Sequence, residues 1–216
     1  MVNTQNDIAT LKEQLGERRS ARHLPGWYYN SRSVFDLEVE KIFGRDWFCV
    51  GRAEELEKTG DYKTIDIAGE SIVIARARTG DLSAFSGYCP HRGAQVASGS
   101  GNTGKFTCPY HGWVFDLTGK LVNAPFTDDV EGFDFSTCRM TPVSLRTWRG
   151  WIFLSIGQAP GDFDGYIEEY EEKLAYFKME DCVLTDTLVM DVPANWKLVL
   201  ENFIDVYHFS VLHAKT

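Results

Sequence analysis

Two short loops in this sequence each pair a cysteine with a histidine: CPHRG at 89–93 and CPYHGW at 108–113. Together they spell Cys-x-His, sixteen residues, then Cys-x2-His, so Cys89 and Cys108 offer thiolates while His91 and His111 offer imidazoles. Proline stiffens each loop, and glycine lets backbone N–H groups approach a sulfur closely. That donor set suits a [2Fe–2S] cluster with two cysteines on one iron and two histidines on the other. Zinc also takes two cysteines and two histidines, but finger patterns pair Cys with Cys and His with His along the chain. Here the order alternates, and the intervening residues read as strands. For either loop alone, a buried structural cysteine beside an incidental histidine is the plainer reading; the matched pair in hairpin context weighs against it.

A second group lies near the end of the sequence, where Asp205, His208 and His213 follow an Asp-x2-His-x4-His pattern. On a continuous helix Asp205 and His208 share a face. His208 and His213, at about 100° per residue, fall roughly 140° apart. Both can bind one metal only if the helix ends or bulges between them, and Ser210 is the expected place. Without a metal, such histidines are core or surface residues of a partly apolar helix.

The elements around these residues follow from periodicity. Residues from about Thr4 to Arg22 read as a helix, with Ile8, Leu11 and Leu15 on one side. SRSVFDLEVEKIFGRDW reads as a second, capped by Ser31 or Ser33, with Val34, Leu37, Val39 and Ile42 as its apolar side. From Phe48 to about Ile156 short alternating runs are punctuated by turns at Thr79-Gly80-Asp81, at Thr118-Gly119 and around Gly150. They imply a small antiparallel β domain. DFDGYIEEYEEKLAYFKME then reads as a helix with Ile167, Tyr170 and Leu174 on its apolar face, CVLTDTLVMDVPANW as a strand and WKLVLENFIDVYHF as a helix. A domain boundary is expected near residues 158–162. The implied division is a helical lead-in over 1–45, the β domain over 46–160 and a further domain from 161 to 216.

The chain has 216 residues, 44% hydrophobic and 25% charged, with a formal charge of −9. An acidic balance repels a phosphate backbone, so nucleic acid is not an expected partner. No apolar run approaches the roughly 18 residues that would span a bilayer, and the polar N-terminal stretch lacks the apolar core of a secretory signal. Five cysteines, an odd number, favour metal or catalytic use over a disulfide framework. Cys49, Cys138 and Cys182 lack histidine partners and are expected to be buried apolar residues. A cytoplasmic protein is the expectation.

The two loops resemble the Rieske signature. The stretch NWKLVLENFIDVYHFSVLH, with the lead-in LPGWYYNSRSVFDLEVEKIF, resembles the mononuclear-iron region of the α (oxygenase) subunit of Rieske non-haem iron ring-hydroxylating oxygenases. The resemblance covers essentially the whole chain and implies an α+β protein. A small antiparallel Rieske domain with flanking N-terminal helices would precede the start of an α+β, helix-grip-like catalytic domain. It implies that Cys89 and Cys108 hold the inner iron of the cluster, and His91 and His111 the outer, more exposed one. His208 and His213 would be two ligands of a mononuclear iron(II) in a two-histidine, one-carboxylate site. Asp205 would be the carboxylate bridging to a Rieske histidine of a neighbouring subunit, and Asn202 would lie close to the iron.

In that family the third ligand lies well downstream of these positions, so the resemblance implies an N-terminal portion of such a subunit, inactive by itself. The cofactors and partners it implies are the Rieske cluster, non-haem iron(II), a ferredoxin or reductase drawing on NAD(P)H, O2, a small-molecule substrate and a homotrimer, with or without a β subunit. Hydroxylation of an aromatic compound is the broad expectation, and oxidative demethylation of a quaternary amine such as choline, carnitine or glycine betaine stands beside it. An electron carrier without oxygenase activity and a zinc-stabilised interaction module are the alternatives.

Overall fold

The computed structural model describes residues 24–127, 130–157 and 161–215; the helix expected over Thr4–Arg22 lies outside them. The chain divides into two compact units. One is Val39–Asp186, and the other joins the described residues of Met1–Glu38 to those of Thr187–Thr216.

The Val39–Asp186 unit is an antiparallel β structure. It opens with a π-helical turn at Val39–Phe43, followed by β1 (Phe48–Arg52), β2 (Asp61–Ile67), β3 (Glu70–Arg76), β4 (Leu82–Ser86) and β5 (Ser100–Asn102). Next come β6 (Phe106–Thr107), β7 (Val114–Phe115), β8 (Leu121–Asn123), β9 (Ser144–Trp148) and β10 (Trp151–Ser155). They form three sheets, ordered β1-β10-β9, β4-β3-β2-β5 and β6-β7-β8. All pairings are antiparallel, and β3 joins β4 through the expected turn at Thr79-Gly80-Asp81. The β9–β10 turn is made by Arg149 and Gly150, both at positive φ, the backbone that tight hairpin turns require.

Strand β3 departs from simple in–out alternation. It is central in its sheet and buried on both faces: Val73 and Ala75 enter one core with Phe85, Phe115 and Met140, while Ile72 and Ile74 enter a second with Leu56, Ile152 and Leu154. The period of two survives, but it sorts side chains between two cores instead of between core and water. Each fully buried Phe, Leu or Ile contributes about 1.5–3 kcal/mol. The first core also contains Cys89 and Cys108, so the two loops are built onto this core.

Helix α1 (Trp27–Asn30) and helix α2 (Arg32–Glu38) belong to the other unit. Ser31 Oγ accepts from the Val34 N–H at 3.4 Å, as its capping role requires. Val34 is buried, but Ile42 is exposed, because the α-helix gives way to the π turn at Val39 and the expected apolar stripe loses its register. In the β unit, helix α3 (Phe163–Leu174) is capped by Asp162, whose carboxylate accepts from the Asp164 N–H. It buries Phe163 and Ile167 against Trp47, while Tyr170 is exposed. The strand expected after Cys182 is not formed: residues 182–193 take no regular secondary structure and find no ladder partner among the described residues. Apolar alternation alone cannot supply the hydrogen-bonding neighbour that a strand needs.

Helix α4 (Trp196–Ile204) and the single-turn helix α5 (Phe209–Leu212) complete the chain. The break between them falls at Asp205–His208, ahead of the expected position at Ser210. Asp205 causes it: its Oδ1 accepts from the Tyr207 N–H at 2.8 Å, an Asx turn that competes with helical continuation. Of the remaining cysteines, Cys49 and Cys182 are exposed, so the expectation of buried apolar roles fails for them, while Cys138 is half-buried and packs against the first core. Cys49 sits in a strand whose register shifts between Cys49 and Gly51, and Cys182 lies in the unpaired segment.

Candidate metal centre

The two cysteine–histidine loops connect β4 to β5 and β6 to β7, and they are built alike. The Cys89 N–H donates to the Ala94 carbonyl at 2.9 Å, and the Gly93 N–H donates back to the Cys89 carbonyl at 2.8 Å. In the second loop the Cys108 N–H donates to the Trp113 carbonyl at 2.7 Å, and the Gly112 N–H donates back to Cys108 at 3.0 Å. The same five-residue closure therefore occurs twice. It turns each cysteine inward: both are 2% exposed.

Among the described residues no three His, Cys, Asp or Glu side chains converge into a group that could hold a metal ion. The donors meet in twos. The Cys89 thiol is pushed above its ordinary value by burial, with the neighbouring Cys108 adding to the shift, while the backbone N–H groups of His91 and Arg92 pull it down. The His91 and His111 rings stand 4.5 Å apart at 64°. His91 is exposed and His111 half-buried. Partial burial, then the adjacent His91 and Arg92, hold the His111 imidazole below its ordinary pKa, in the neutral form whose lone pair a metal needs.

His111 Nδ1 is buried without a hydrogen-bond partner. An unpartnered buried ring nitrogen is costly in an ordinary protein interior, and a metal bond would satisfy it. Two buried thiols in matching loops, two adjoining imidazole rings and an orphaned ring nitrogen together fit a two-iron cluster split between sulfur and nitrogen ligands. Two aromatic residues complete the surroundings. Trp113 lies flat on His91, centroids 4.9 Å apart and planes 6° from parallel, and Tyr110 leans on His111 at 3.8 Å. Both belong to the CPYHGW motif, but cross-loop stacking cannot be read from spacing within one loop.

The second group is assembled around the break after α4. Asp205 caps the helix, its N–H donating to the Glu201 carbonyl at 2.9 Å. Its Oδ2 lies 3.2 Å from His208 Nδ1. The Tyr207 N–H, then His208, hold the carboxyl below its ordinary range. His208 and His213 flank α5, and that single turn brings their rings to 5.4 Å at 65°. Asn202 is exposed on α4. With Asp205 at Nδ1, Nε2 is the His208 ring nitrogen that remains for a metal, the usual division between an orienting partner and a metal.

Comparison with known proteins gives two family matches: residues 46–134 match the Rieske [2Fe-2S] domain, and residues 179–216 match the ring hydroxylating alpha subunit (catalytic domain). The carnitine monooxygenase oxygenase subunit of Acinetobacter pittii (strain PHEA-2) is 37% identical over 192 residues, which is 88% of this chain and 52% of that protein. The glycine betaine monooxygenase oxygenase subunit of Chromohalobacter salexigens is 32% identical over 202 residues, 93% of this chain and 45% of that protein. Among solved structures, the quaternary ammonium Rieske monooxygenase CntA in complex with L-carnitine superposes with a TM-score of 0.82 at 36% identity, covering 90% of this chain and 56% of that one. The chain thus spans about half the length of the curated relatives it matches.

Proposed function

Because this chain belongs to the Rieske non-haem iron ring-hydroxylating oxygenase α-subunit family, we propose that it carries the cluster and the first part of the iron site of an oxygenase acting on a quaternary amine. Cys89 and Cys108 hold one iron of the [2Fe–2S] cluster, and His91 and His111 the other. His208 and His213 are ligands of mononuclear iron(II). Such centres supply, when bound, one-electron transfer and oxygen activation. The observation that carries the cluster assignment is the buried, unpartnered Nδ1 of His111 beside His91, with two buried thiols in matching loops.

The residues of the chain divide the work. The paired loop closures aim both thiols inward, and the N–H groups of His91 and Arg92 favour the thiolate form of Cys89. Asp205 holds the imidazole of His208 through Nδ1, stays ionised, and bridges towards a Rieske histidine of a neighbouring subunit. We place the chain in a homotrimer fed with electrons by a ferredoxin or reductase that draws on NAD(P)H in the cytoplasm. Among the described residues no helix is long and apolar enough to cross a membrane. The domain limits 46–160 and 161–216 remain our assignment for the cluster-bearing and iron-bearing portions.

The quaternary-amine reading is supported by the relatives named for carnitine and glycine betaine. Oxygen uptake by the system reconstituted with the full-length subunit, with L-carnitine, glycine betaine and benzoate offered separately, tests it. Substrate-dependent uptake with a trimethylammonium compound is expected; uptake with benzoate alone would assign an aromatic substrate. Electron transfer without uptake on any of the three would identify a carrier in place of an oxygenase.

A further inference from the structure

The buried residue of α4 is a lysine. Lys197 is 8% exposed, while Leu198, Leu200, Phe203 and Ile204 on the same helix are 45%, 50%, 77% and 70% exposed. A buried ammonium is costly unless it is paired and hydrogen-bonded, so the helix must be held on this face by specific partners and not by its apolar residues. Those partners come from the opposite end of the sequence, within the same unit.

Lys197 Nζ donates to Glu38 Oε1 at 2.6 Å, across 159 residues of sequence, and Glu38 is itself 5% exposed. The other carboxylate oxygen of Glu38 accepts from Trp196 Nε1 at 2.9 Å. One side chain at the end of α2 thus grips two consecutive residues in the first turn of α4. The ammonium also lies 4.7 Å from the Tyr28 ring centroid, 5.7 Å from that of Tyr29 and 5.5 Å from that of Trp196, an aromatic surround that favours a desolvated cation. One turn on, Tyr29 donates its phenol O–H to Glu201 at 3.0 Å. Asn195 Nδ2 donates to the Tyr29 carbonyl at 2.9 Å. Lys197 and Glu201, four residues apart, share a helix face, so these contacts define both the rotation and the register of α4. Asn202 follows directly, and three residues on comes Asp205, the C-cap of α4, whose carboxylate orients His208.

We propose that Glu38 and Lys197 are a positioning pair for the iron-binding residues at the far end of α4, setting the angle at which Asp205 and His208 are presented. The inference rests on the iron assignment above. The aliphatic side chains could pack a helix in several rotations; a two-pronged carboxylate on Trp196 and Lys197 accepts one.

The test uses the full-length, cluster-loaded holoprotein titrated with iron(II), and reads the EPR line shape of the iron(II)–nitric oxide adduct. Glu38→Gln leaves the Lys197 charge unpaired, Lys197→Met does the reverse, and Glu38→Leu with Lys197→Met removes both charges. Each single variant should lose roughly tenfold in iron affinity, the lower end for groups that support metal ligands, with the visible spectrum of the cluster unchanged. The double variant should recover stability, as apolar replacements of buried pairs do, yet keep an altered line shape, because stability returns without the register. A double or single variant with wild-type affinity and line shape would overturn the positioning role. If the charge variants do not fold, Tyr29→Phe, which removes only the bond to Glu201, decides: weaker iron binding with an altered line shape supports the role, and an unchanged adduct overturns it. A wild-type holoprotein that takes up no iron beyond the cluster would overturn the iron assignment and the positioning role with it. A wild type that binds iron indistinguishably from its variants would overturn positioning alone.

Discussion

Gly93 and Gly112 hold the same backbone angle, φ +71°, each four residues after a buried cysteine. Each glycine N–H closes its loop onto the carbonyl of that cysteine. The two loops are thus one backbone solution used twice, and the left-handed angle is the part of it that side chains other than glycine resist.

Replacing either glycine by alanine should therefore cost about 1 kcal/mol or more, the ordinary penalty for a Cβ at positive φ, and should lower cluster content. No atom lies within 4 Å of a Cβ at Gly93, whereas one at Gly112 meets only Pro125 at 3.5 Å, so the cost is conformational and not steric. Thermal unfolding and iron-to-protein ratio measured on Gly93→Ala and Gly112→Ala should give matching losses; a wild-type result for either would show that the loop tolerates another closure.

Cys89→Ser and Cys108→Ser should each abolish the visible absorption of the cluster. Cys49→Ser and Cys182→Ser, at exposed positions, should leave it unchanged and alter stability by no more than about 0.5 kcal/mol. Absorption spectra of the four purified variants make the comparison, and a coloured Cys89→Ser protein would remove that residue from the ligand set.

Acid should release a surface tie in the β unit. Arg149 Nε donates to Glu171 at 2.8 Å and Nη1 to Glu180 at 2.7 Å, and these bonds hold both carboxyls below their ordinary value of 4.5. A carboxyl depressed in the folded state contributes stability above its unfolded pKa and loses it as pH falls through the folded one. The tie should thus be complete above about pH 4.5 and fade below it. Both carboxylates are about half exposed, so salt should weaken it as well. Carbon NMR titration of the side-chain carboxyls should show Glu171 and Glu180 returning to the ordinary range in Arg149→Gln; ordinary midpoints in the wild type would contradict the pairing.

Asp205→Ala should leave the cluster spectrum intact while abolishing substrate oxidation, since the residue's bonds are to His208 and to the turn at Tyr207. Turnover retained by Asp205→Ala in the full-length enzyme would mean that His208 is oriented by something else.

Much of this was legible in the sequence because it is local. The hairpin turns at Gly80, Gly119 and Gly150 and the cysteine–histidine loops are each encoded within a few residues. What was not legible depends on distant partners or on competition within a turn. Glu38 and Lys197 lie 159 residues apart, and neither carries a periodic signal of its pairing. The helix break moved from Ser210 to Asp205–His208 because a side-chain acceptor captured the Tyr207 N–H, a contest that helical periodicity does not register. Residues 182–193 alternate like a strand without acquiring a neighbour among the described residues, and Trp113 reaches His91 only once both loops are folded.

The most direct measurement on the central assignment is the EPR spectrum of the dithionite-reduced protein, with iron and zinc determined on the same sample. A rhombic signal whose average g value lies below that of all-cysteine clusters, accompanied by iron and not zinc, is the expected result for cysteine–histidine ligation by Cys89, Cys108, His91 and His111. An EPR-silent protein that carries zinc, or a signal indistinguishable from an all-cysteine cluster, would contradict it.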